Sequence, residues 1–574
     1  MKSLTPPVLL PDGTEFKTWE ATPRFSKTYH VAQKHPKASD ANPGTHERPF
    51  LTIGRAAAVL QPAERVVVAE GVYREHVKPA RGGTSPTRMI SYEAAPGATV
   101  LLKGSKVFTE TWTPSKHSGK TAKGLWQATL AAKYFPHWNP FDIENVTKEQ
   151  FDGMRWAKAL RGKVPYTLPR GMVFQEGRLL KQVTRYDALA NNPGSYWVDR
   201  PAQVVHIHPR GGDDPNGKLF EITTERVAFA PDQMGLGFIR VKGFTVEQVG
   251  NCFPMQQEGA ISTWRGHHWI IEDNTVRWAN SVGIDLGTQF GRWPQPKKIG
   301  KHICRRNTVE DIGVCGIAGI GVHGNFGLLI EHNVLRRCAY HNVERLFETG
   351  GIKTHRNTRC LIRRNLIEDT LHGAGIWMDF TNDNARCTQN VIIGTRTKRF
   401  GAIFIEASCR PSLIDHNVIC DTHGCGIYEH DCSNQIFAHN FIAHSTKAAI
   451  ILRGKITNRK LYGKPIDAGN HQVLNNIFVG NAPNAVTQHK NTRKNTIAAN
   501  LAKGVTASYD RASHTLTWSV VGPVPKCAPI AAITRDFLGN PRQSNAIAPG
   551  PFLTTPTGRS AIAVWPQGQQ PGQR

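Results

Sequence analysis

From about residue 226 to about residue 505, short apolar segments alternate with polar turns at a regular spacing. Each segment has four or five residues with apolar side chains at alternate positions, and Gly, Asn or Asp residues follow it. One isoleucine can be taken as the anchor of each segment, and successive anchors are 23 to 36 residues apart. The anchors are Ile261, Ile284, Ile320, Ile352, Ile376, Ile403, Ile427 and Ile450. A repeat of this length built from strands is typical of a solenoid, so the pattern predicts an all-β protein with a parallel β-helix.

A second column of repeated residues runs beside the anchors and consists of asparagines, most of them followed by an aliphatic residue and a turn. Its members are Asn274, Asn307, Asn333, Asn365, Asn390, Asn417, Asn440 and Asn476. Because the units are strand-like and joined by turn residues, the repeat favours stacked β-coils over stacked helix pairs.

Alternation along each strand separates an inward face from an outward face. If the anchor points inward, the residue two positions later does too, and that column is mostly apolar. It reads Thr263, Leu286, Val322, Thr354, Met378, Ile405, Glu429 and Leu452. Glu429 is the exception, and either a bulge in its coil or a register error of one residue would account for it. The outward column, three positions after the anchor, is largely polar and reads Trp264, Gly287, His323, His355, Asp379, Glu406, His430 and Arg453.

Two acids of the outward column, Asp379 and Glu406, occupy equivalent positions on consecutive coils. Stacked coils of a β-helix lie ~4.8 Å apart. Retaining glycosidases hold their two carboxyl groups about 5–5.5 Å apart, whereas inverting enzymes hold them about 6.5–9.5 Å apart. The coil spacing therefore matches the retaining geometry. Carboxylates this close do not both ionise readily, which leaves one as a general acid and the other as a nucleophile. We therefore predict a catalytic pair, although solvated surface acids would give the same pattern.

Aromatic residues fill the other outward column, one position after the anchor. Trp377, Phe404 and Tyr428 stand there on three consecutive coils. Rings that face outward beside acids favour a surface on which a sugar stacks, so all three are predicted to bind substrate. A buried face under a covering loop would produce the same pattern.

Lys353 and His355 lie on the outward face one coil before Asp379. A cation there would lower the pKa of the neighbouring carboxyl and donate hydrogen bonds to sugar hydroxyls. His323, His355 and His430 share the column of Asp379 and could in principle hold a metal, but no H-x-x-x-H or H-x-H spacing supports ligation. We therefore predict that these residues bind substrate, with neither a metal nor a cofactor.

Trp264 and Arg453 lie at the two ends of the outward column and are also predicted to bind substrate. With His267, His268 and Trp269, Trp264 would line a distal subsite. A packed edge under the inserted domain is the favoured interpretation of these four residues.

Several segments resemble glycoside hydrolase family 120, whose members are β-xylosidases built on a right-handed parallel β-helix with an inserted β-sandwich-like domain. GIWMDF and IFIEAS look like the nucleophile and acid/base segments of that family, and GGIKTH, DANPGTHERPF and GVYREHVKPARGG are also similar. The resemblance implies a retaining, exo-acting glycosidase on an oligosaccharide substrate, with Asp379 as nucleophile and Glu406 as acid/base. The N-terminal motifs indicate fold more than activity, because many bacterial β-helix proteins share them.

The periodicity divides the chain into five parts. Residues 1–47 are predicted to form an extended lead-in, and residues 48–106 the first coils, with TIGRAAAVL as a helix that caps the solenoid. In residues 107–225 longer Trp- and Pro-rich segments replace the repeat and predict an inserted antiparallel β domain. Residues 226–505 are the main β-helix, and residues 506–574 provide closing strands and a disordered tail.

The net charge and composition limit the classes of binding partner that we expect for this protein. Lys and Arg total 71 against 44 Asp and Glu, a net charge of +27. The positive charges are scattered and no nucleic-acid motif is present, so we expect no nucleic-acid partner; attraction to acidic glycans fits the charge equally well. The N-terminus has no apolar signal core and no run of eighteen apolar residues occurs, so we expect no membrane partner.

Ten of the eleven cysteines lie between Cys252 and Cys432. An odd number without paired C-x-x-C clusters indicates buried thiols in a reducing compartment. We expect a cytoplasmic protein, and a processed form of a secreted protein is the alternative. The oligomeric state is not readable from the sequence.

Two other functions fit the same residues. A polysaccharide lyase acting on uronates would need a base at C5 and cations beside the substrate carboxylate, which Lys353, His355, His430 and Arg453 could supply. Its acid pair would then bind calcium. A non-catalytic carbohydrate-binding β-helix would use the aromatic column as its binding face, and fold alone does not separate these functions. The lyase predicts unsaturated, ultraviolet-absorbing products, and the binding protein predicts no turnover.

Overall fold

The structure is a computed structural model that describes residues 1–148, 152, 167–251, 258–287, 300–319, 325–340, 348–481, 485–542, 547–556 and 558–565. In these ranges the chain is almost entirely β-structure, and most strands belong to three parallel sheets, here called sheets A, B and C. Each strand pairs in parallel with the equivalent strand of the next coil. The predicted parallel β-helix is therefore confirmed.

The three sheets account for most of the described strands. Sheet A has 13: Lys27–Val31, Glu64–Val68, Ile90–Ala94, Ile239–Lys242, Ile270–Glu272, Ile303–Arg305, Leu329–Glu331, Leu361–Arg363, Ala385–Thr388, Ser412–Asp415, Ile436–Ala438, Gln472–Leu474 and Thr496–Ala498. Sheet B has 11 in the same ranges: Gly71–Tyr73, Val100–Lys103, Thr245–Val249, Thr275–Ala279, Thr308–Ile312, Val334–Cys338, Leu366–Glu368, Val391–Ile393, Val418–Cys420, Phe441–Ala443 and Ile477–Val479. Sheet C has 9 described strands: Gly259–Ser262, Val282–Asp285, Cys315–Gly319, Gly350–His355, Ala374–Asp379, Arg396–Glu406, His423–His430, Ile450–Leu452 and Val486–Gln488.

The anchor isoleucines form one column inside sheet C, with one change from the predicted register. Ile284 pairs with Ile317, and Ile317 pairs with Ile352. The prediction that Ile320 anchors this coil is therefore wrong, and Ile320 itself lies outside the described residues. The stretch reads GIAGIG, in which two Gly-Ile pairs stand three residues apart, so the local pattern fits either choice. Pairing with the two neighbouring coils selects the first.

The side chain of Glu429 points into the interior of the solenoid. It pairs with Ile405 on one side and Leu452 on the other, so neither a bulge nor a register error at that position explains it. Its side chain is fully buried, and the Gly454 N–H donates to its Oε1 at 3.0 Å. Burial raises the pKa of Glu429 to about 8, and a protonated carboxyl is the form that a solenoid interior tolerates. Val322, predicted for the same column, lies outside the described residues.

The asparagine column forms a hydrogen-bonded ladder in the turns between sheets A and B. From Asn307 onward, the side-chain oxygen of each member accepts from the backbone N–H and the side-chain amide of the asparagine one coil earlier, and Asn274 Oδ1 accepts from the Phe244 N–H. Asn390 Oδ1, for example, accepts from Asn365 N at 3.1 Å and Asn365 Nδ2 at 2.9 Å. All eight predicted residues take part, and the ladder continues to Asn500. It supplies acceptors for buried backbone donors at the turns, where strand pairing stops.

Replacing Asn390 with Ala is expected to lower the free energy of unfolding by about 1–3 kcal/mol, because the buried N–H of Asn365 would lose its acceptor. Urea denaturation measures the change, and Asn191→Ala, which removes an exposed asparagine, is the control. Equal stability of the two variants would contradict a structural role for the ladder.

Two mainly antiparallel sheets interrupt the coils. One has five described strands, Thr113–His117, Lys120–Thr129, Lys181–Gln182, Ser195–Asp199 and Val204–His208. The other has four in the described ranges, Ser105–Phe108, Val173–Gln175, Arg178–Leu179 and Phe220–Thr223. The 3-10 helices Ala132–Tyr134 and Tyr186–Ala188 lie between strands, and Phe141 and Tyr196 are in a separate apolar core. Antiparallel pairing starts at Ser105, slightly before the predicted boundary at residue 107.

The parallel coils begin within the predicted lead-in. Lys27–Val31 pairs in parallel with Glu64–Val68, so residues 1–47 are not only an extended segment. Tyr29 and Val31 are buried on the inner side of this strand, and such a short alternation was not distinguishable from an extended chain.

The helix Ile53–Val59 packs against the first coils, with its N-terminus capped by Thr52, whose Oγ1 accepts from Arg55 N at 3.1 Å. An antiparallel sheet of Val505–Asp510, Thr515–Val520 and Ser560–Ala563 packs along sheet B over several coils, where Trp518 contacts Phe441. The remaining short strands are Lys2–Ser3, Lys17–Thr18, Asn325–Phe326, Asn357–Thr358, Lys460–Leu461 and Lys464–Pro465.

The segment WPQGQQPGQR was predicted as a disordered tail, but its first residue, Trp565, is buried in an apolar core, so the prediction is wrong at that position. Residues 566–574 lie outside the described residues. In the part of the chain that the structure describes, no helix has the length and apolar character needed to cross a membrane. Within the described ranges no disulfide bond is found among the ten cysteines, eight of which are buried, and Cys252 lies outside these ranges.

Candidate active site

Asp379 and Glu406 are the last residues of two neighbouring strands of sheet C, Ala374–Asp379 and Arg396–Glu406. The pairs Ile376–Ile403 and Trp377–Phe404 set the register between these strands. The same register carries both carboxyl groups to the outward face on adjacent coils, ~4.8 Å apart along the helix axis. Each residue is only 7% exposed, so these acids are not solvated surface groups.

Asp379 faces a lysine and a histidine side chain from the preceding strand. Its Oδ2 lies 3.0 Å from His355 Nε2 and 3.2 Å from Lys353 Nζ. Burial acts to raise the pKa of Asp379, but the charges of His355 and Lys353 outweigh it and hold that pKa well below its usual range. Asp379 is therefore ionised at neutral pH.

Lys353 is itself fully enclosed. Its Nζ lies 2.8 Å from Glu348 Oε2 and 3.6 Å from the centre of the Trp377 ring. Burial acts to lower the pKa of Lys353, yet the charges of Glu348 and Asp379 raise it overall. The ammonium group is thus held charged between two carboxylates and an aromatic face.

Glu406 has the opposite environment. Burial and the neighbouring Asp379 charge raise the pKa of Glu406, while His430 and Arg459 act to lower it. Arg459 donates a hydrogen bond to Glu406 Oε1, and His430 Nε2 lies 3.8 Å from the same oxygen. Of the two acids, Glu406 is the one that retains its proton more easily.

Asp431 holds the segment that delivers Arg459. Its carboxylate accepts from Ile456 N at 2.8 Å, from Thr457 N at 3.1 Å and from Thr457 Oγ1 at 2.6 Å. His430 Nδ1 lies 3.3 Å from the same carboxylate. The adjoining residues Asp431 and His430 thereby connect the strand to the loop over Glu406.

The predicted aromatic platform is covered. Trp377, Phe404 and Tyr428 are 3%, 0% and 8% exposed. Phe400, in the long strand that carries Glu406, stacks on Phe404 with ring centres 4.6 Å apart and also packs 5.1 Å from Trp377. The prediction of an exposed stacking surface is therefore wrong, because a bulged extension of the strand folds its own ring over the column.

The other predicted substrate-binding residues are not gathered at this pair. Trp264 follows the strand Gly259–Ser262, which is four strands before that of Asp379 in sheet C, ~19 Å along the helix axis. Arg453 contacts His489, its Nη1 lying 2.7 Å from the His489 Nδ1. His323 lies outside the described residues.

Three contributors to the site were missed from the sequence: Glu348, Phe400 and Arg459. Arg459 belongs to a loop outside the repeat, and no spacing relates it to Glu406. Glu348 lies shortly before GGIKTH, and the need of a buried lysine for a second acid was the signal that could have found it.

Substituting Arg459 with Ala is expected to raise the pKa of Glu406, because its opposing positive charge is lost. A general acid must be protonated to act, so the alkaline limb of the pH–rate profile should move to higher pH. Arg459→Lys, which keeps the charge, should move that limb less, and Arg493→Ala, at an exposed surface pair, should leave it in place. If the alkaline limb of the pH–rate profile is the same in Arg459→Ala and in the wild type, Arg459 does not influence the pKa of Glu406.

Fold and site together define a parallel β-helix protein with a buried pair of carboxyl groups whose pKa values are driven apart on adjacent coils. Such a pair can attack an electrophilic carbon with one oxygen and protonate a leaving group with the other.

Comparisons with known proteins agree with this architecture. A family model described as a right handed beta helix region matches residues 259–442. A solved structure of XylC in complex with xylose matches with a TM-score of 0.73 and 23% identity, covering 94% of this chain and 100% of that chain. A GH136 lacto-N-biosidase from Eubacterium ramulus matches with a TM-score of 0.36 and 12% identity, covering 83% of this chain and 68% of that chain. No curated protein sequence matches the chain. The protein is a right-handed parallel β-helix.

Proposed function

We propose that the protein is a retaining, exo-acting glycoside hydrolase that removes a terminal sugar, in first place a β-xylosyl residue, from an oligosaccharide. The observation that carries the proposal is the placement of two buried carboxyl groups, Asp379 and Glu406, at the ends of paired strands on adjacent coils, with Lys353 and His355 against Asp379. This arrangement lowers the pKa of Asp379 and raises that of Glu406. Two neighbouring carboxyl groups with separated pKa values are the acid/base and nucleophile arrangement of glycosidases.

In the first step the Asp379 carboxylate attacks the anomeric carbon while Glu406 gives its proton to the glycosidic oxygen. The bond from carbon to the leaving oxygen breaks, and an ester joins the sugar to Asp379. In the second step the Glu406 carboxylate takes a proton from water, which attacks the same carbon and releases Asp379. His355 and Lys353 keep Asp379 anionic between turnovers.

The coil spacing supports retention of anomeric configuration. Adjacent coils lie ~4.8 Å apart, close to the carboxyl separation of about 5–5.5 Å in retaining enzymes. An inverting enzyme needs about 6.5–9.5 Å to admit a water molecule, which is wider than the coil spacing.

The contacts favour hydrolysis over elimination from a uronate. A lyase needs a cation free to neutralise the substrate carboxylate. Lys353 is already shared between Glu348 and Asp379, and Arg459 is bonded to Glu406. The calcium site of the lyase interpretation would require both acids to give up these partners.

The xyloside preference is supported by two observations. GIWMDF and IFIEAS resemble the catalytic segments of a β-xylosidase family. The solved XylC structure, which holds xylose, has the same fold.

Hydrolysis of a panel of nitrophenyl glycosides, led by the β-xyloside, tests the proposal. We expect release of nitrophenol, and proton NMR early in the reaction should show that the first sugar formed keeps the β configuration. An α-anomer formed first would contradict retention. If no glycoside of the panel is hydrolysed and uronate polymers yield unsaturated products, the protein is a lyase and the proposal is wrong.

A further inference from the structure

Two histidines and an aspartate meet in the five-stranded sheet of the inserted segment, outside sheet C. One potential ligand atom each from His117, Asp199 and His206 lies within 4.8 Å of the other two. Strand pairing sets part of this arrangement: Trp197 is opposite His206, and Asp199 is opposite Val204. Asp199 and His206 are therefore diagonal neighbours on one face of the sheet.

The spacing of the cluster fits a shared metal ion. His117 Nδ1 lies 3.6 Å from Asp199 Oδ2, longer than a normal N–H···O hydrogen bond. Two ligands at ~2.0–2.2 Å from a tetrahedral zinc ion are ~3.4 Å apart. A small inward movement of the two side chains would therefore suffice for coordination.

Neighbouring groups already orient two of the three ligands. The Ser115 hydroxyl lies 2.8 Å from His206 Nδ1, which leaves Nε2 as the ring nitrogen available to a metal. The Ala202 N–H donates to Asp199 Oδ1 at 3.2 Å, which leaves Oδ2 facing His117. Metal-ligating side chains are commonly fixed by such hydrogen bonds through their second polar atom.

Aromatic rings form the walls of the cluster. Tyr186 lies 4.6 Å from His117 and 5.2 Å from His206, measured between ring centres, and Trp197 lies 5.4 Å from His206. His206 is 2% exposed, whereas His117 and Asp199 are half-buried. The cluster is thus enclosed on one side and open on the other, which provides an entry path for an ion.

We propose that His117, Asp199 and His206 bind a divalent transition-metal ion, Zn²⁺ in first place, with three protein ligands and an open fourth position. Two imidazole donors with one carboxylate suit zinc, whereas calcium and magnesium take oxygen ligands. The ion joins the edge strand that ends at His117 to the hairpin of the other two ligands and stabilises the inserted segment.

Titration of the chelator-treated full chain with zinc chloride, followed by calorimetry, tests this site. We expect one equivalent to bind and the melting temperature to rise, and cobalt(II) should give the intense visible absorption of a tetrahedral site. His206→Ala should weaken zinc binding by more than about 100-fold, and Ser115→Ala by about 10–100-fold. His137→Ala, at an exposed histidine of the same segment, should bind zinc as the wild type does.

Asp199→Asn keeps the shape of the side chain and serves as the variant least prone to misfold. Its circular dichroism should equal that of the wild type, and its melting temperature should no longer rise when zinc is added. The proposal is overturned if the wild type binds no stoichiometric zinc. It is equally overturned if folded Asp199→Asn and His206→Ala variants both bind zinc as tightly as the wild type.

Discussion

Replacing Asp379 with Ala is expected to reduce kcat/KM on the true substrate by about 10⁴-fold or more, because the variant lacks the nucleophile of the first step. The loss should be the same for good and poor leaving groups, since neither can leave until the anomeric carbon is attacked. Initial rates on the aryl β-xyloside and on an oligosaccharide measure it. Asp213→Ala, at an exposed acid, is the control and should retain full activity.

The environment of Asp379 explains why no neighbour replaces it. Lys353 and His355 have no carboxylate to offer, and Glu348 is paired with the Lys353 ammonium group. Glu406 is already engaged as the proton donor of the same step. Lys353 keeps one carboxylate partner in the variant, so the buried cation is not left unpaired and the fold should persist. If a folded Asp379→Ala variant hydrolyses the substrate at the wild-type rate, Asp379 is not the nucleophile.

Substituting Glu406 with Ala is expected to separate substrates by their leaving groups. Cleavage of an oligosaccharide, whose leaving oxygen needs a proton, should fall by at least ~10²-fold. Formation of the sugar ester from a nitrophenyl glycoside should be much less affected, because nitrophenolate leaves without protonation. Turnover should then stall at the ester, which a burst of nitrophenol followed by a slow phase would reveal.

Azide provides the matched test of the second step. It needs no general base and fits the space left by the carboxylate, so it should accelerate turnover of Glu406→Ala and yield a β-glycosyl azide. The wild type, which already activates water, should not respond. Equal losses on both kinds of substrate without azide rescue would mean that Glu406 is not the acid/base.

The separation of the two pKa values sets the expected pH range. Asp379 must be ionised, and its lowered pKa places the acid limb of activity below the range of an ordinary carboxyl. Glu406 must be protonated, and its raised pKa extends activity upward. Since the charge of Asp379 is itself one cause of the raised pKa of Glu406, removal of either acid alters the titration of the other.

Local alternation along the chain was sufficient to predict much of the solenoid. The anchor column and the asparagine ladder each take one residue from every coil, at a position that the repeat marks, and the ladder follows the predicted members one by one. The same alternation placed Asp379 and Glu406 on consecutive coils with outward-facing side chains. Where two patterns overlapped, as in GIAGIG, pairing with Ile284 and Ile352 decided the register in favour of Ile317.

Local alternation could not predict the contacts that other segments make with the two acids and with the aromatic column. Phe400 covers the aromatic column because the strand that carries it is bulged, and Arg459 reaches Glu406 from a loop that Asp431 holds. The cluster of His117, Asp199 and His206 likewise joins strands far apart in the sequence.

The sequence by itself determined the repeat, the direction of each side chain and the neighbourhood of the two acids, because these follow from the period of a strand and the spacing of the coils. Only the tertiary structure decided what surrounds the acids: which cations face each carboxyl, how deeply both are buried and whether the aromatic rings are open to a ligand. Burial and charge at a point depend on every segment that packs there, and a pKa shift is the sum of those contributions.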